Sequence, residues 1–146
     1  MGQTYFGSTL RSGTDALSDS TDGGFVVLEQ TTTVTTAAAG TATSATLTLP
    51  VSSQIINFIV DMVTVPSYGT ATAVLATIGT VAAGTQYLSA TDVSLVGRTA
   101  LAFTAAQLTA MSGIGTNQSV VFTVDPNGTV TGQGTFRLTV VYAQKV

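Results

Sequence analysis

Side chains that could carry out catalysis are scarce in this sequence. It contains no histidine and no cysteine, and its single lysine, Lys145, is the penultimate residue. Serine and threonine are plentiful, but neither attacks a substrate without a neighbouring base to accept its proton. We therefore expect no Ser or Thr hydrolase. The absence of cysteine also excludes a thiol nucleophile, a disulfide and a cysteine zinc site.

Glycoside hydrolysis would need only two facing carboxyl groups, one of them with a raised pKa. Outside the first 24 residues the acidic residues are Glu29, Asp61, Asp92 and Asp125. Asp125 opens the turn sequence Asp125-Pro126-Asn127-Gly128, and Asp61 fits a polar position on a half-exposed strand. We predict no catalytic residue and no cofactor, and we expect that the protein is not an enzyme.

Three aspartates near the N-terminus, Asp15, Asp19 and Asp22, could offer oxygen ligands to Ca²⁺. Their spacing does not fit an EF-hand loop, and a solvated acidic segment is the simpler interpretation. No metal site is predicted. The triplets Asn117-Gln118-Ser119 and Asn127-Gly128-Thr129 match the glycosylation pattern, which we attribute to chance in a chain with 29 threonines.

The low charge of the chain limits the partners that it can bind. Only 8% of its residues are charged and the net charge is −3, whereas an average domain has about 25% charged residues. Four dispersed cations cannot neutralise a phosphate backbone, so no nucleic acid is expected. No apolar run reaches the roughly 18 residues of a membrane helix, and the N-terminus lacks the pattern of a signal peptide, so no membrane is expected either. A neutral surface rich in Thr and Ala favours contact with other protein.

The elements that must position any site form one domain behind an arm. Residues 1–24 are predicted to be an extended N-terminal arm, and residues 25–146 a β-domain. The arm residues that we expect to contact a partner are Tyr5, Phe6, Leu10, Arg11 and Leu17. A neighbouring subunit is the simplest partner to hold such an arm.

Alternating apolar residues and turn signals predict β-strands throughout the domain. The predicted strands are Phe25–Thr36, Ala45–Leu49, Ile55–Val65, Thr70–Thr80, Gly84–Leu88, Val93–Val96, and the two strands of a hairpin that turns at residues 125–128. In the third strand, Ile56, Phe58, Val60 and Met62 are predicted to share one face. In the last strand, Phe136, Leu138, Val140 and Tyr142 share a face opposite Arg137, Thr139 and Val141.

One helix is predicted, over Ala105–Met111, because Thr104 and Gln107 have the spacing of a capping box. Seven or eight short strands with one small helix predict an all-β fold, an antiparallel two-sheet sandwich. A jelly-roll topology fits this pattern, although the pattern does not determine the strand order. Tyr68 and Tyr87 lie in or near loops and are possible exposed contacts, able to stack on a sugar or pack on a partner; ordinary loop packing is the alternative.

Several short segments together resemble small structural proteins of tailed bacteriophages. They are Leu47-Thr48-Leu49-Pro50, the strand Ile55–Val63, the turn Ile78-Gly79-Thr80, the pair Gly97-Arg98, and the closing Leu138-Thr139-Val140-Val141-Tyr142. The likeness covers residues 45 to 143. It implies a virion protein of the capsid decoration (cement) or head-fibre type.

What the resemblance implies is a β-sandwich or jelly roll that assembles as a trimer on the outer capsid surface, between subunits of the major capsid protein. Such a protein has no catalytic residue to transfer. A second interpretation is a module of a phage head or tail fibre that binds a glycan or a receptor. This interpretation requires an exposed aromatic residue, and Tyr68 or Tyr87 would supply it.

Overall fold

A computed structural model describes residues 25–37, 40–51, 53–112 and 118–145 of this chain. The predicted arm contacts Tyr5, Phe6, Leu10, Arg11 and Leu17 lie outside the described residues, as do Asp15, Asp19 and Asp22. The predicted arm and its partner contacts therefore stay predictions, and the three aspartates are not tested.

The described residues form ten strands and one helix. They are β1 (Phe25–Thr35), β2 (Thr43–Leu49), β3 (Ser53–Thr64), β4 (Ser67–Tyr68), β5 (Val74–Gly79), β6 (Leu88–Asp92), β7 (Gly97–Thr99), α1 (Ala105–Met111), β8 (Gln118–Pro126), β9 (Val130–Gly132) and β10 (Thr135–Lys145). Four strands make up sheet A in the order β1-β10-β3-β7, and four make up sheet B in the order β2-β8-β5-β6. The short β4 and β9 pair with each other.

The strand order is that of a jelly roll. Every pairing is antiparallel, and the chain passes repeatedly from one sheet to the other: β1 in sheet A, β2 in sheet B, β3 back in A, β5 and β6 in B, then β7, β8 and β10 in A, B and A. Two interleaved Greek keys in two facing sheets define this topology. The predicted all-β sandwich is confirmed.

The core lies between the two sheets and follows the predicted alternation. Phe136, Leu138, Val140 and Tyr142 of β10 are buried, while Arg137 between them is exposed. They face the buried residues of sheet B, which include Phe122 at the centre of β8. Full burial of one such side chain contributes about 1.5–3 kcal/mol, so the alternation of β10 accounts for a substantial share of the stability.

The prediction for Ile56 is wrong, because β3 contains a bulge. Val141 of β10 lies opposite Asn57, but the next residue, Tyr142, lies opposite Ile55, so Ile56 falls between two paired residues. An extra residue in one strand shifts the alternation of side chains by one position. Ile55 is therefore buried and Ile56 exposed, while Phe58 and the following core positions stay as predicted.

Three further predictions are also wrong: the strands at Gly84–Leu88 and Val93–Val96, and the hairpin that turns at residues 125–128, because its two strands lie in different sheets, β8 in sheet B and β10 in sheet A. Residues 80–87 form a loop, in which Gln86 Oε1 accepts the Thr80 N–H at 3.1 Å, and β6 begins only at Leu88. The N–H of Ala83 donates to Thr123 Oγ1 of β8 at 2.9 Å, so this loop lies against the outer face of sheet B. Residues 93–96 are likewise a loop between β6 and β7.

Strand β5 is shorter than predicted, because it begins at Val74 and not at Thr70. The N–H groups of Gly69 and Ala71 both donate to the carbonyl of Thr129, at 3.1 and 3.0 Å. The backbone here is therefore committed to the loop that follows β8, and sheet B begins only after it.

The helix forms as predicted. Thr104 Oγ1 accepts the Gln107 N–H at 3.3 Å, and Gln107 Oε1 accepts the Thr104 N–H at 2.9 Å, which completes the capping box. The same Gln107 side chain donates from Nε2 to the Thr85 carbonyl and to Ser89 Oγ, at 3.3 and 3.0 Å. One buried glutamine thus both starts the helix and fastens it to sheet B.

Gly128 is expected to tolerate a side chain poorly. Its φ is +116°, and a Cβ would meet the backbone N and Cα of Ala71 at 2.8 Å. Gly97 is the matched control, because its φ is +91° but a Cβ there meets nothing within 4 Å among the described residues. We expect Gly128→Ala to lower the free energy of unfolding by about 2–4 kcal/mol and Gly97→Ala by about 1–2 kcal/mol, measured by urea denaturation. Equal losses would mean that contact with Ala71 is unimportant.

Candidate contact surface

Large apolar side chains are exposed together at one end of the sandwich. We call this group the tip patch; its members are Val63, Val65, Tyr68, Leu95 and Val96. Leu95 and Val96 are 81% and 72% exposed, the highest values among the described large apolar residues. Exposed apolar residues that are grouped in this way typically mark a surface that binds another molecule.

The topology brings these residues together from three segments. The pairing of β3 with β7 ends where Met62 lies opposite Gly97, so Val63 and Val96 are the next residues on the two strands. The Tyr68 hydroxyl donates to the Ser94 carbonyl at 3.4 Å, which places β4 beside the loop that carries Leu95. Residues distant in sequence therefore share one surface.

The loop that carries Leu95 is held by hydrogen bonds and by a buried side chain. Asp92 Oδ1 accepts both the N–H of Ser94, at 2.9 Å, and the Ser94 hydroxyl. Ser94 Oγ accepts the N–H of Val74 at 2.8 Å, and Val93 is fully buried. The two hydrogen bonds from Ser94 lower the pKa of Asp92. A loop fixed in this way presents its apolar residues with little conformational entropy to lose on binding.

A charge cluster lies beside the tip patch on the outer face of sheet A. Asp61 accepts from Arg98 Nε through Oδ1 and from Arg137 Nη2 through Oδ2, each at 3.0 Å. Asp61 is itself buried, while both arginines are exposed. The hydrogen bond from Arg98, followed by that from Arg137 and the charges of both, outweighs desolvation and lowers the pKa of Asp61. The cluster has a net charge of +1.

Because the pKa of Asp61 is lowered, part of the free energy of unfolding depends on pH in the acidic range. Because the folded-state pKa lies below the ordinary value of 3.8, the cluster stabilises the fold fully above that pH. Its contribution is lost as the pH falls through the lowered pKa. We expect Asp61→Asn to lower the free energy of unfolding by about 1–2 kcal/mol at pH 7, a modest figure because solvent screens the exposed arginines.

Urea denaturation of both proteins at neutral pH and near pH 2 checks this prediction. The difference between wild type and Asp61→Asn is expected to shrink as Asp61 is protonated. Asp92 also has a lowered pKa, but it titrates in both proteins and its effect cancels. A difference that is unchanged near pH 2 would contradict the assignment to the carboxylate charge.

A cleft of about 400 Å³ opens next to the charge cluster. It lies where β7 ends, between Asn57–Ile59 of β3 and Arg98–Leu101. Asn57 Oδ1 accepts the Phe58 N–H at 2.9 Å, which leaves the Nδ2 hydrogens of this amide as its outward donors. The residues that line the cleft therefore carry an amide, a guanidinium and the hydroxyl of Thr99, together with apolar side chains.

Of the two tyrosines predicted as exposed contacts, one is exposed and one is buried. Tyr68 is 39% exposed and belongs to the tip patch. Tyr87 is 1% exposed and packs on Phe58, with ring centroids 5.6 Å apart, so its prediction as an exposed contact is wrong. The backbone N–H of Tyr87 donates to the Ile78 carbonyl at 3.0 Å, which draws the residue against sheet B before β6 begins.

Two of the carboxylates considered for glycoside hydrolysis, Asp61 and Asp92, accept hydrogen bonds from neighbouring residues. Asp61 is bound by two arginines. Asp92 and Asp125 lie on the same face of sheet B, both opposite Leu75; the pKa of Asp92 is lowered by its hydrogen bonds from Ser94, so Asp92 does not suit the role of a general acid. Within the described ranges, no three Asp, Glu, His or Cys residues gather where they could hold a metal ion.

Leu95 and Val96 are the surface residues that the sequence pattern missed. The apolar sequence Val93-Ser94-Leu95-Val96 was interpreted as a short strand, and in a strand such residues would be covered by the neighbouring sheet. Asp92 two residues before Ser94 is an Asx-turn signal that could have identified a loop.

None of the helices in the described part of the chain is long and apolar enough to cross a membrane.

Comparison of the chain with protein families, with curated proteins and with solved structures finds no match.

Proposed function

We propose that this protein is a structural component of a virion, which decorates and stabilises the outer surface of a capsid by binding the major capsid protein. It acts by contact and not by catalysis. The observation that carries this proposal is the tip patch, in which Leu95 and Val96 are held out from the fold at 81% and 72% exposure. Burying these side chains against a capsid would release their free energy of transfer from water.

The fold is compatible with this role but does not decide it. Jelly rolls are used by viral capsid proteins, by lectins and by cupins, and one fold serves many functions. The sequence resemblance to structural proteins of tailed bacteriophages favours the capsid among these. The low charge and the abundance of Thr and Ala support it, because such a surface binds through apolar area and hydrogen bonds.

Many weak contacts would suffice for a decoration protein. We propose a homo-oligomer, with a trimer preferred, because a closed ring matches the repeated sites of a symmetric shell. Each protomer would then present its own tip patch, and linked contacts increase the overall affinity without any new contact. In this proposal the N-terminal arm, residues 1–24, contacts a neighbouring subunit or the capsid.

Purified particles that contain the protein test this proposal. We expect copies on the order of hundreds per particle, as a repeated surface site requires, and rebinding of the recombinant protein to stripped capsids. A dozen copies or fewer would assign the protein to a tail or a vertex and contradict capsid decoration. Deleting residues 1–22 tests the arm separately: binding that is unchanged in a folded truncated protein would remove the arm from the interface.

Tyr68 favours a second candidate, a glycan- or receptor-binding module of a head or tail fibre. Its ring is 39% exposed within the tip patch, and exposed aromatic rings stack on sugars. Binding to host polysaccharide that is abolished by Tyr68→Ala, together with a low copy number, would support this function over capsid decoration. Retained capsid binding by Tyr68→Ala without any polysaccharide binding would support decoration.

A further inference from the structure

The cleft beside β7 has features of a site for a negatively charged group. Asp61 takes only the Nε hydrogen of Arg98, and the Nη groups of this 64% exposed guanidinium bond to no acceptor among the described residues. The Nδ2 amide of Asn57 adds a neutral donor on the same wall. Guanidinium and amide donors of this kind bind carboxylates through charge-assisted hydrogen bonds.

The neighbouring charges do not cancel this donor set. Both oxygens of Asp61 are already bound, one by Arg98 and one by Arg137, so its negative charge is compensated and the cluster keeps its net charge of +1. On the same face, Glu29 lies opposite Val141, which in turn lies opposite Asn57. Glu29 is thus two strands from the cleft, or roughly 10 Å, about one Debye length at moderate ionic strength.

We infer that this cleft binds the carboxylate of an Asp or Glu side chain on the protein surface that the tip patch contacts; this inference rests on the proposed function. The tip patch and the cleft are continuous along the chain, which favours a protein as the source of the carboxylate. The segment that carries Leu95 and Val96 runs directly into Arg98 and the cleft wall up to Leu101. One partner seated on the tip patch would therefore also cover the cleft.

The apolar part of the cleft suits the stem of an acidic side chain. Ile59 and Leu101 line it and are both partly buried, so they can pack on methylene groups. Among the lining residues, all within the described part of the chain, Phe58 is the one aromatic, and it is only 2% exposed. A sugar acid would lack the stacking platform that carbohydrate sites commonly provide.

Two small probes test the cleft without any capsid. N-acetyl-L-glutamate and its neutral isostere N-acetyl-L-glutamine are titrated into the full-length protein, and NMR follows the Asn57 side-chain amide and the Arg98 Nε–H. We expect saturable shifts with the glutamate probe, with a dissociation constant on the order of millimolar for one small ligand. The glutamine probe should bind at least about tenfold more weakly, because it lacks the charge.

Arg137 provides the matched control variant. It pairs with Asp61 as Arg98 does, but it does not line the cleft. Each variant removes one positive charge from the cluster, but only Arg98→Gln removes a donor that lines the cleft. We expect Arg98→Gln to weaken binding of the glutamate probe at least about tenfold, and Arg137→Gln, which acts only through charge, to weaken it less than about threefold. Equal losses in the two variants, or equal binding of the two probes, would overturn the inference.

Two further experiments distinguish other sources of the carboxylate. Glucuronate that binds at least about tenfold more tightly than the glutamate probe would assign the cleft to sugar acids and overturn the inference. A full-length variant with Asp15→Asn, Asp19→Asn and Asp22→Asn that gains affinity for the probe would show that the arm of this chain competes for the cleft, which also overturns it. Because no capsid is present, these results stand apart from the proposed function. If the protein binds capsids but does not bind the glutamate probe, the inference about the cleft is rejected and the proposed function is not.

Discussion

Replacing Leu95 and Val96 together with serine is expected to reduce capsid binding by about a hundredfold or more. The two side chains are 81% and 72% exposed, so they are available for the proposed contact and contribute little to the fold. Exposed substitutions of this kind usually change the free energy of unfolding by less than about 0.5 kcal/mol. Sedimentation of the variant with stripped capsids measures the binding, and a thermal melt measures the stability.

Val81 gives this experiment its matched control. It is also an exposed valine in a loop, at 59%, but its loop lies against the outer face of sheet B, through the bond from Ala83 to Thr123. Val81→Ser should therefore leave capsid binding unchanged. A double variant that binds as wild type does, or a Val81→Ser protein that loses binding equally, would contradict the assignment of the tip patch as the contact.

Tyr87→Ala is expected to have the largest effect on stability. Truncating this buried ring removes its packing on Phe58, and losses for buried aromatic residues are about 3–5 kcal/mol. Since domains are stable by only about 5–15 kcal/mol, the variant should be close to unfolding at physiological temperature. Urea denaturation followed by circular dichroism measures the loss.

Two other tyrosine variants separate burial from contact. Tyr87→Phe keeps the ring and should cost less than about 1.5 kcal/mol, and Tyr68→Ala, at an exposed ring, should hardly change stability.

Burial raises the pKa of Tyr87 above its ordinary value of 10.0. The wild type should therefore lose stability as the pH rises above 10 towards that higher pKa, and Tyr87→Phe should lack this part of the loss. A Tyr87→Ala protein as stable as wild type would contradict the packing described here.

Much of the fold could be predicted because it depends on local patterns. The alternation of β10 from Phe136 to Tyr142 requires only the period of a strand, and the capping box of α1 requires only Thr104 and Gln107 at the right spacing. These signals involve residues close in sequence. They were confirmed because the tertiary structure agrees with them.

The errors arose where pairing between distant segments decides the structure. The bulge at Ile56 depends on the register between β3 and β10, and the loop before β6 depends on the bond from Ala83 to Thr123. The local sequence pattern identifies neither β10 as the partner of β3 nor Thr123 as the partner of Ala83. The same reason applies to the site: the loop position of Tyr68 could be predicted, but Leu95 and Val96 lie near it only through the pairing of β3 with β7 and the hydrogen bond from Tyr68 to Ser94.

Strand β3 takes part in every feature of the proposed interface. Its outward side chains Asn57, Ile59, Asp61 and Val63 reach in turn the cleft, the charge cluster and the tip patch. Its inward side chains, which include Phe58 and Val60, belong to the core. The proposed interface and the core therefore use alternate positions of one strand. Under the proposed function, substitutions at the outward positions could change which capsid the protein binds, while the inward positions preserve the domain that presents them.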